Sequence, residues 1–277
     1  ENLVVPSVEI AGQTATVELI DLWARSEFAG AISGLVPTPA ALPDGSRWQM
    51  CLRHPASRLV ALTVSPDGRF VAAGGQDGVV RVWNREDKTL AAVLPGHESG
   101  CLSLDWNSRT NVIVSGSVEG RLRFWQMPQG RLIRTVDTGH RGIIDACFSP
   151  NGNFLASTSW ESRGFLWTAA GKRLRELSGH KTAVTRVAWS PDSRRVMSLE
   201  SRGAARVWSV DDLRREPVVL KLEGAVSCGQ WSSDGKTVAI GVGKFIEFRE
   251  TETWKPLFKT GPHPAPPMRL LWSDDRQ

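Results

Sequence analysis

Tyrosine, long apolar stretches and a recognisable leader are all missing from this sequence of 277 residues. Tyrosine is absent although twelve tryptophans occur, a bias that suggests repeated use of one aromatic position. No apolar run approaches the roughly 18 residues that cross a bilayer, so we expect no membrane partner. No secretory signal is recognisable. The first residue is Glu1 rather than Met, so we expect the chain to be part of a longer protein.

Cysteine is rare, and its positions do not pair. The four cysteines are Cys51, Cys101, Cys147 and Cys228, and they lie far apart in separate apolar runs. Zinc sites need closely spaced pairs of ligands, and none is present. We therefore expect buried free thiols, no metal and no cofactor. Free buried thiols favour a reducing compartment, and so a cytoplasmic location.

Charge is not concentrated anywhere along the chain. The formal net charge is +5, from 34 Lys and Arg against 29 Asp and Glu, but no run of five or six basic residues occurs. We interpret this basic excess as solvated surface. It favours acidic partners over basic ones. Because the basic residues are dispersed, we do not expect a nucleic-acid partner.

The sequence does contain an internal repeat. An aromatic or apolar residue precedes a polar turn at Val64, Trp106, Phe148, Trp189, Trp231 and Trp272. A second series closes an alternating apolar run at Trp83, Trp125, Trp167, Trp208 and Phe248. Both series advance by 40 to 42 residues, which indicates a repeated structural unit.

Each unit reads as four short strands joined by turns. In residues 143–183, an apolar stretch ends at the turn 149–152, whose Pro150 and Gly152 suit tight backbone angles. Three further strand-like stretches follow before Gly179-His180. Four short strands without helical periodicity are typical of a propeller blade. We therefore predict an all-β fold, a β-propeller of four-stranded antiparallel blades.

The repeat resembles that of the WD-repeat family over roughly residues 47–275. The pairs Gly96-His97, Gly139-His140 and Gly179-His180 are each followed about 28 residues later by Trp125, Trp167 and Trp208. The resemblance implies a hydrogen-bonded tetrad of His, Ser or Thr, an acid and Trp, since a buried indole N–H needs an acceptor. The name-giving Trp-Asp dipeptide is absent.

Carried over residue by residue, the resemblance implies different tetrads in different units. The second unit offers His97, Ser115, Glu119 and Trp125, and the third offers His140, Ser157, Glu161 and Trp167. The fourth has His180, Ser198 and Trp208, with Arg202 in the place of the acid. The first has His54, Asp77 and Trp83, with Gly74 and Gly75 in the place of the serine. The fifth has Gly224 without a His, and Phe248 in the place of Trp.

Two parts of the chain are expected. Residues 1–46 are interpreted as divergent N-terminal blade strands with a Pro/Gly/Ala-rich insertion, and residues 47–277 as the WD-repeat region. Complete units are predicted near 59–100, 101–142, 143–183, 184–225 and 226–267, and a partial unit at 268–277, in which Met268–Trp272 would be an innermost strand. Either the two termini share a blade and close a ring of six, or a longer parent chain supplies the rest of six or seven blades.

No catalytic pattern is present. There is no nucleophile elbow, phosphate-cradling glycine loop or spaced metal cluster. Asp105 and Asp145 are expected in innermost strands beside the central channel, not as a catalytic pair. We expect no enzymatic activity and no small-molecule substrate, but a non-catalytic protein–protein interaction scaffold. The alternative is a propeller that regulates a hydrolase or kinase domain in the parent chain.

The resemblance also implies a docking face for partners. It is formed by the loops that enter the innermost strands and the turns between second and third strands. By that mapping it carries Gln76, Glu98, Val118, Arg141, Trp160, Arg163, Lys181 and Arg202. Trp and Arg dominate interface hot spots, so we expect Trp160 to contact an acidic protein or peptide. The alternative is that Trp160 packs sideways on the neighbouring blade.

Overall fold

The computed structural model describes residues 8–10, 13–15 and 58–272, and all regular structure in these residues is β-strand. A short antiparallel pair is formed by β1 (Val8–Ile10) and β2 (Gln13–Ala15). The other described strands form five successive four-stranded antiparallel blades. His54 and Cys51 lie outside the described residues, as does most of the predicted N-terminal part.

The blades follow the chain, and each begins with its innermost strand. Blade 1 contains β3 (Leu59–Val64), β4 (Phe70–Gly75), β5 (Val80–Asn84) and β6 (Leu90–Leu94). Blade 2 contains β7 (Cys101–Trp106), β8 (Val112–Ser117), β9 (Arg121–Gln126) and β10 (Arg131–Asp137). Blade 3 contains β11 (Ile143–Phe148), β12 (Phe154–Ser159), β13 (Gly164–Thr168) and β14 (Arg173–Leu177).

Blades 4 and 5 share one long strand. Blade 4 contains β15 (Val184–Trp189), β16 (Arg195–Glu200), β17 (Arg202–Ser209) and the first part of β18 (Val218–Trp231). Blade 5 contains the last part of β18, β19 (Thr237–Val242), β20 (Phe245–Glu250) and β21 (Pro256–Lys259). The first part of β18 pairs with β17, and the last part pairs with β19. The outermost strand of one blade therefore continues directly into the innermost strand of the next.

Apolar side chains between neighbouring blades form the core. Trp125 of blade 2 belongs to a buried cluster with Ala72, Val82 and Leu94 of blade 1. Phe124, its neighbour in sequence, points the other way and belongs to a cluster with residues of blade 3. Because side chains alternate along a strand, each middle strand contributes to two inter-blade layers. Burying one such aromatic side chain contributes about 1.5–3 kcal/mol.

The innermost strands of the five blades, with residues 268–271, line a central channel of about 780 Å³. Two half-buried carboxylates on these strands connect one blade to the next. Asp105 Oδ2 accepts a hydrogen bond from the Phe148 N–H at 2.6 Å, and Asp145 Oδ2 accepts one from the Val187 N–H at 3.0 Å. Burial raises the pKa of both carboxyls, that of Asp105 to about 7. Each carboxylate therefore braces two blades.

The predicted innermost strand at Met268–Trp272 is irregular in the structure. The segment nevertheless lies where the next inner strand would lie, because Trp272 Nε1 donates to the Gln230 carbonyl. The preceding blades repeat this contact, from Trp231 to the Ala188 carbonyl and from Trp189 to the Cys147 carbonyl. Within residues 58–272 the segment has no second strand to pair with. The described sheets do not close, which fits a partial propeller.

Asp105 gives the stability of the chain a specific pH dependence. Its pKa is about 7 in the folded chain, and an exposed Asp titrates near about 3.9. Between those values the folded chain binds more protons than the unfolded chain, so the free energy of unfolding falls as the pH rises. Asp105→Asn keeps an acceptor for the Phe148 N–H but cannot titrate. Urea unfolding at about pH 5 and about pH 8 should differ less for this variant than for the natural chain; an equal difference would contradict the assignment.

Candidate functional site

The tetrad of blade 2 is a continuous chain of hydrogen bonds. The Trp125 indole N–H donates to Ser115 Oγ at 2.9 Å, and Ser115 Oγ lies 2.7 Å from His97 Nε2. His97 Nδ1 lies 2.7 Å from Glu119 Oε1. Burial lowers the pKa of His97, so the ring is neutral: Nδ1–H donates to Glu119 and Nε2 accepts from the serine hydroxyl. Trp, Ser, His and Glu thus form a chain in which each donates to the next.

Glu119 is held ionised at the end of this chain. Its partial burial raises the pKa, but the hydrogen bonds from His97 and from the Glu98 N–H outweigh burial and lower the pKa to about 2. The second carboxylate oxygen accepts the Glu98 N–H at 3.2 Å. The loop that enters the innermost strand is therefore fixed both by its His ring and by its backbone.

Blade 3 has the same groups with one bond fewer. Ser157 Oγ accepts the Trp167 N–H at 2.9 Å, and His140 Nδ1 lies 3.1 Å from Glu161 Oε2. His140 Nε2 has no hydrogen-bond partner among the described residues. Its ring instead packs against Phe165, with centroids 4.2 Å apart.

In blade 4 the acid is Glu200, so the sequence-based mapping to Arg202 was wrong. Ser198 Oγ accepts the Trp208 N–H at 2.8 Å and lies 3.0 Å from His180 Nε2, while His180 Nδ1 lies 3.1 Å from Glu200 Oε1. Burial lowers the pKa of His180 to about 4. Glu200 is the last residue of β16 rather than a residue of the following turn. Spacing alone missed it, because its carboxylate reaches the same point from two positions earlier.

Strand register corrects two more assignments. Ala73 pairs with Arg81 as Ser115 pairs with Arg123, so Ala73 occupies the serine position of blade 1, and not Gly74 or Gly75. In blade 5, Arg249 lies across from Val238 and occupies the tryptophan position, one residue after Phe248. Phe248 lies 40 residues after Trp208, whereas Arg249 lies 41 residues after it, which agrees better with the spacing of the preceding units.

A recurrent arginine supports the tetrad acid, and the sequence analysis missed it. It stands two residues before the tryptophan and pairs with the acid in three blades: Arg81 with Asp77 at 2.9 Å, Arg123 with Glu119 at 3.5 Å and Arg206 with Glu200 at 3.3 Å. Arg81 is only 2% exposed. The Arg-x-Trp pattern in these units was the available signal. Blade 3 has Phe165 in this position, against which His140 packs.

The acids also position residues of the candidate docking face. The backbone N–H groups of Glu98, Arg141 and Lys181, each directly after a tetrad His, donate to the second carboxylate oxygens of Glu119, Glu161 and Glu200 at 3.2, 3.4 and 3.1 Å. The side chains of these three residues are exposed. Each tetrad therefore ends on a residue that faces solvent.

Trp160 is half-exposed on this face, with 52% of its surface open. Its six-membered ring lies against Gly142 of the same blade, where a β-carbon would overlap the ring. Gly142 has φ of +70°, which an L side chain rarely adopts. The ring therefore lies on the loop that follows His140.

The predicted cations around Trp160 differ in their partners. Arg163 pairs with Glu161 at 3.0 Å and approaches Glu176 at 3.9 Å. The exposed side chains of Arg141, Lys181 and Arg202 form no ion pair with any described residue. Gln76 and Val118 occupy exposed turns in blades 1 and 2, and Glu98 pairs with Arg121 at 3.4 Å.

In the part of the chain that the structure describes, no three His, Cys, Asp or Glu side chains are grouped as metal ligands would be. No helix there is long and apolar enough to cross a bilayer.

Comparison with known proteins identifies the family. The pattern of the family described as "WD domain, G-beta repeat" matches residues 48–84, 88–126, 130–168 and 171–209, which together exceed half of the chain. The chain therefore belongs to the WD-repeat family, and its fold is the propeller fold of that family.

The relatives are distant and longer. The periodic tryptophan protein 2 homolog of Dictyostelium discoideum is 26% identical over 197 residues, which cover 69% of this chain and 21% of that protein. Actin-interacting protein 1 of Drosophila melanogaster is 28% identical over 224 residues, 76% of this chain and 36% of the relative. The B-type cell cycle switch protein ccs52B of Medicago truncatula is 28% identical over 180 residues, which cover 63% of this chain and 37% of that protein. The chain thus spans well under half the length of these relatives.

The Ser115 hydroxyl should carry much of the stability of blade 2. Ser115→Ala leaves the Trp125 N–H and the His97 ring without their shared partner, and should lower the free energy of unfolding by about 1–3 kcal/mol. Ser117 lies on the same strand and is also fully buried, but its hydroxyl has no hydrogen-bond partner among the described residues. Ser117→Ala is therefore the matched control and should leave the free energy of unfolding unchanged. Urea unfolding measures both; equal losses would rule out the hydrogen-bond chain as the cause.

Proposed function

We propose that this chain is a non-catalytic interaction module of a longer protein, and that it binds an acidic protein or peptide segment on the face that carries Trp160. WD-repeat proteins are generally non-catalytic scaffolds, and no catalytic family is indicated. The name of one relative, actin-interacting protein 1, records an interaction with another protein. Three described cysteines, Cys101, Cys147 and Cys228, are free thiols, which supports a reducing, cytoplasmic setting.

The observation that carries the proposal is the seat of Trp160 on Gly142. An exposed indole held in one place loses little conformational freedom when a partner covers it, so more of the contact energy remains for binding. Large aromatic side chains of this kind dominate interface hot spots. Core packing does not require this ring, since about half of it faces solvent.

The charge around the ring specifies the partner. Arg141, Lys181 and Arg202 have no ion pair among the described residues, and the backbones of Arg141 and Lys181 are tied to tetrad acids. Charge-assisted hydrogen bonds to carboxylates are stronger than neutral ones. A partner segment with Asp or Glu beside an apolar or aromatic residue fits this arrangement.

A selection of short random peptides displayed on phage tests the proposal directly. The intact chain should enrich acidic peptides that contain an aromatic or large apolar residue. Trp160→Ala should weaken their binding about tenfold or more, which corresponds to a hot-spot loss of about 2 kcal/mol. Val118→Ala alters the equivalent exposed turn of blade 2 on the same face and should weaken binding much less than Trp160→Ala does.

Stability separates binding from folding in this experiment. Trp160→Ala should unfold at nearly the same urea concentration as the intact chain, whereas Trp125→Ala should lower the free energy of unfolding by about 3–5 kcal/mol. Enriched peptides without acidic residues, or equal binding by Trp160→Ala, would refute this site.

A further inference from the structure

The opposite end of blades 2 and 3 carries a second, different surface. Five exposed cations lie in the turns there or on the fourth strands that follow them. Arg109 and Lys172 lie in turns, Arg131 and Arg173 begin β10 and β14, and Arg134 lies within β10. None of the five forms an ion pair with any residue of the described range 58–272. We call this surface the basic face.

Contacts between the two blades make the basic face continuous. Asn107 Nδ2 of blade 2 donates to the Gly152 carbonyl of blade 3 at 2.8 Å, and Ser108 Oγ donates to the Pro150 carbonyl at 2.8 Å. The side chain of Arg109 lies against Gly152. On the outer side, the stem of Arg134 lies against Gly171, the residue before Lys172. The cations of blade 2 therefore adjoin those of blade 3.

The basic face contains no carboxylate. In blades 1, 4 and 5 the corresponding turn between first and second strands holds Asp67, Asp192 and Asp234, but in blades 2 and 3 the same position holds Arg109 and Asn151. The acids of blades 2 and 3 lie in the central channel or toward the opposite end: Asp105, Glu119, Asp137, Asp145, Glu161 and Glu176. No carboxylate of blades 2 and 3 therefore pairs with the cations of the basic face, although the Arg173 guanidinium also lies over the Phe165 ring, 5.0 Å from its centroid.

We propose that the basic face binds the sugar-phosphate backbone of double-stranded nucleic acid without reading base sequence. Guanidinium groups match phosphate geometry, and phosphate contacts alone supply most non-specific affinity. An acidic protein would need an aromatic or apolar anchor at the centre of its interface, but Ile133 is the only exposed large apolar side chain of these described turns and the adjoining β10. A single strand would need exposed rings for its bases to stack on, and no exposed aromatic ring of the described residues lies here.

Fluorescence anisotropy with a labelled DNA duplex of mixed sequence tests this proposal on the whole 277-residue chain. We expect a dissociation constant of about 1–100 μM that weakens steeply with salt. Five phosphate contacts predict a slope of about −4.5 in a plot of log K against log salt, at about 0.9 per contact. The double variant Arg109→Gln, Arg134→Gln should reduce that slope by about two and weaken binding about tenfold or more at low salt.

The matched control lies at the same end of blade 4. Arg214 and Arg215 are exposed there but are flanked in sequence by Asp211, Asp212 and Glu216. Arg214→Gln, Arg215→Gln removes the same charge and should leave the affinity and the slope nearly unchanged. Both double variants should unfold at the urea concentration of the intact chain, since all four side chains are exposed.

Three outcomes would overturn the proposal: no duplex binding at low salt, equal binding by the Arg109→Gln, Arg134→Gln variant, or tighter binding of a single strand or a polyglutamate peptide than of the duplex. Trp160→Ala should bind the duplex normally. The proposal can therefore fail while the peptide-binding face stands, and the reverse also holds.

Discussion

A buried indole N–H must have an acceptor, and in blades 2, 3 and 4 that acceptor is a serine hydroxyl on the neighbouring strand. The chain of hydrogen bonds continues through a histidine to a carboxylate, fully in blades 2 and 4 and without the serine–histidine bond in blade 3. Its far end is the backbone N–H of the residue after the histidine. In these three blades a buried interaction thereby fixes the position of an exposed residue of the candidate docking face.

The two ends of the blades differ because different elements hold them. At one end, ion-paired acids and histidines anchor the loops, and the Trp160 ring lies against Gly142 of one of these loops. At the other end, short turns are held by hydrogen bonds from Asn107 and Ser108 to the carbonyls of the next blade, and the five cations of the basic face form no ion pair within residues 58–272. One scaffold can thus present two surfaces that suit different partners, an anchored peptide and a phosphate backbone.

The four-stranded unit could be predicted from the sequence because its tryptophans, Gly-His pairs and turns recur at a fixed spacing. What spacing could not predict is where a side chain ends. Glu200 replaces the expected acid from another backbone position, and register rather than spacing assigns Ala73 and Arg249. The basic face could not be predicted from the sequence either, because its cations are dispersed between positions 109 and 173. Only the packing of two blades brings them together. The expectation of no nucleic-acid partner rested on that dispersion.

The central claim is that the tetrads fix the loops of the candidate docking face. Amide hydrogen exchange of Arg141 and Lys181, followed by NMR, measures this most directly. Although their side chains are exposed, their N–H groups bind Glu161 and Glu200, so the account predicts slow exchange, comparable with that of neighbouring core strands. Exchange as fast as in an unstructured loop would contradict it, because these residues would then move independently of the tetrads.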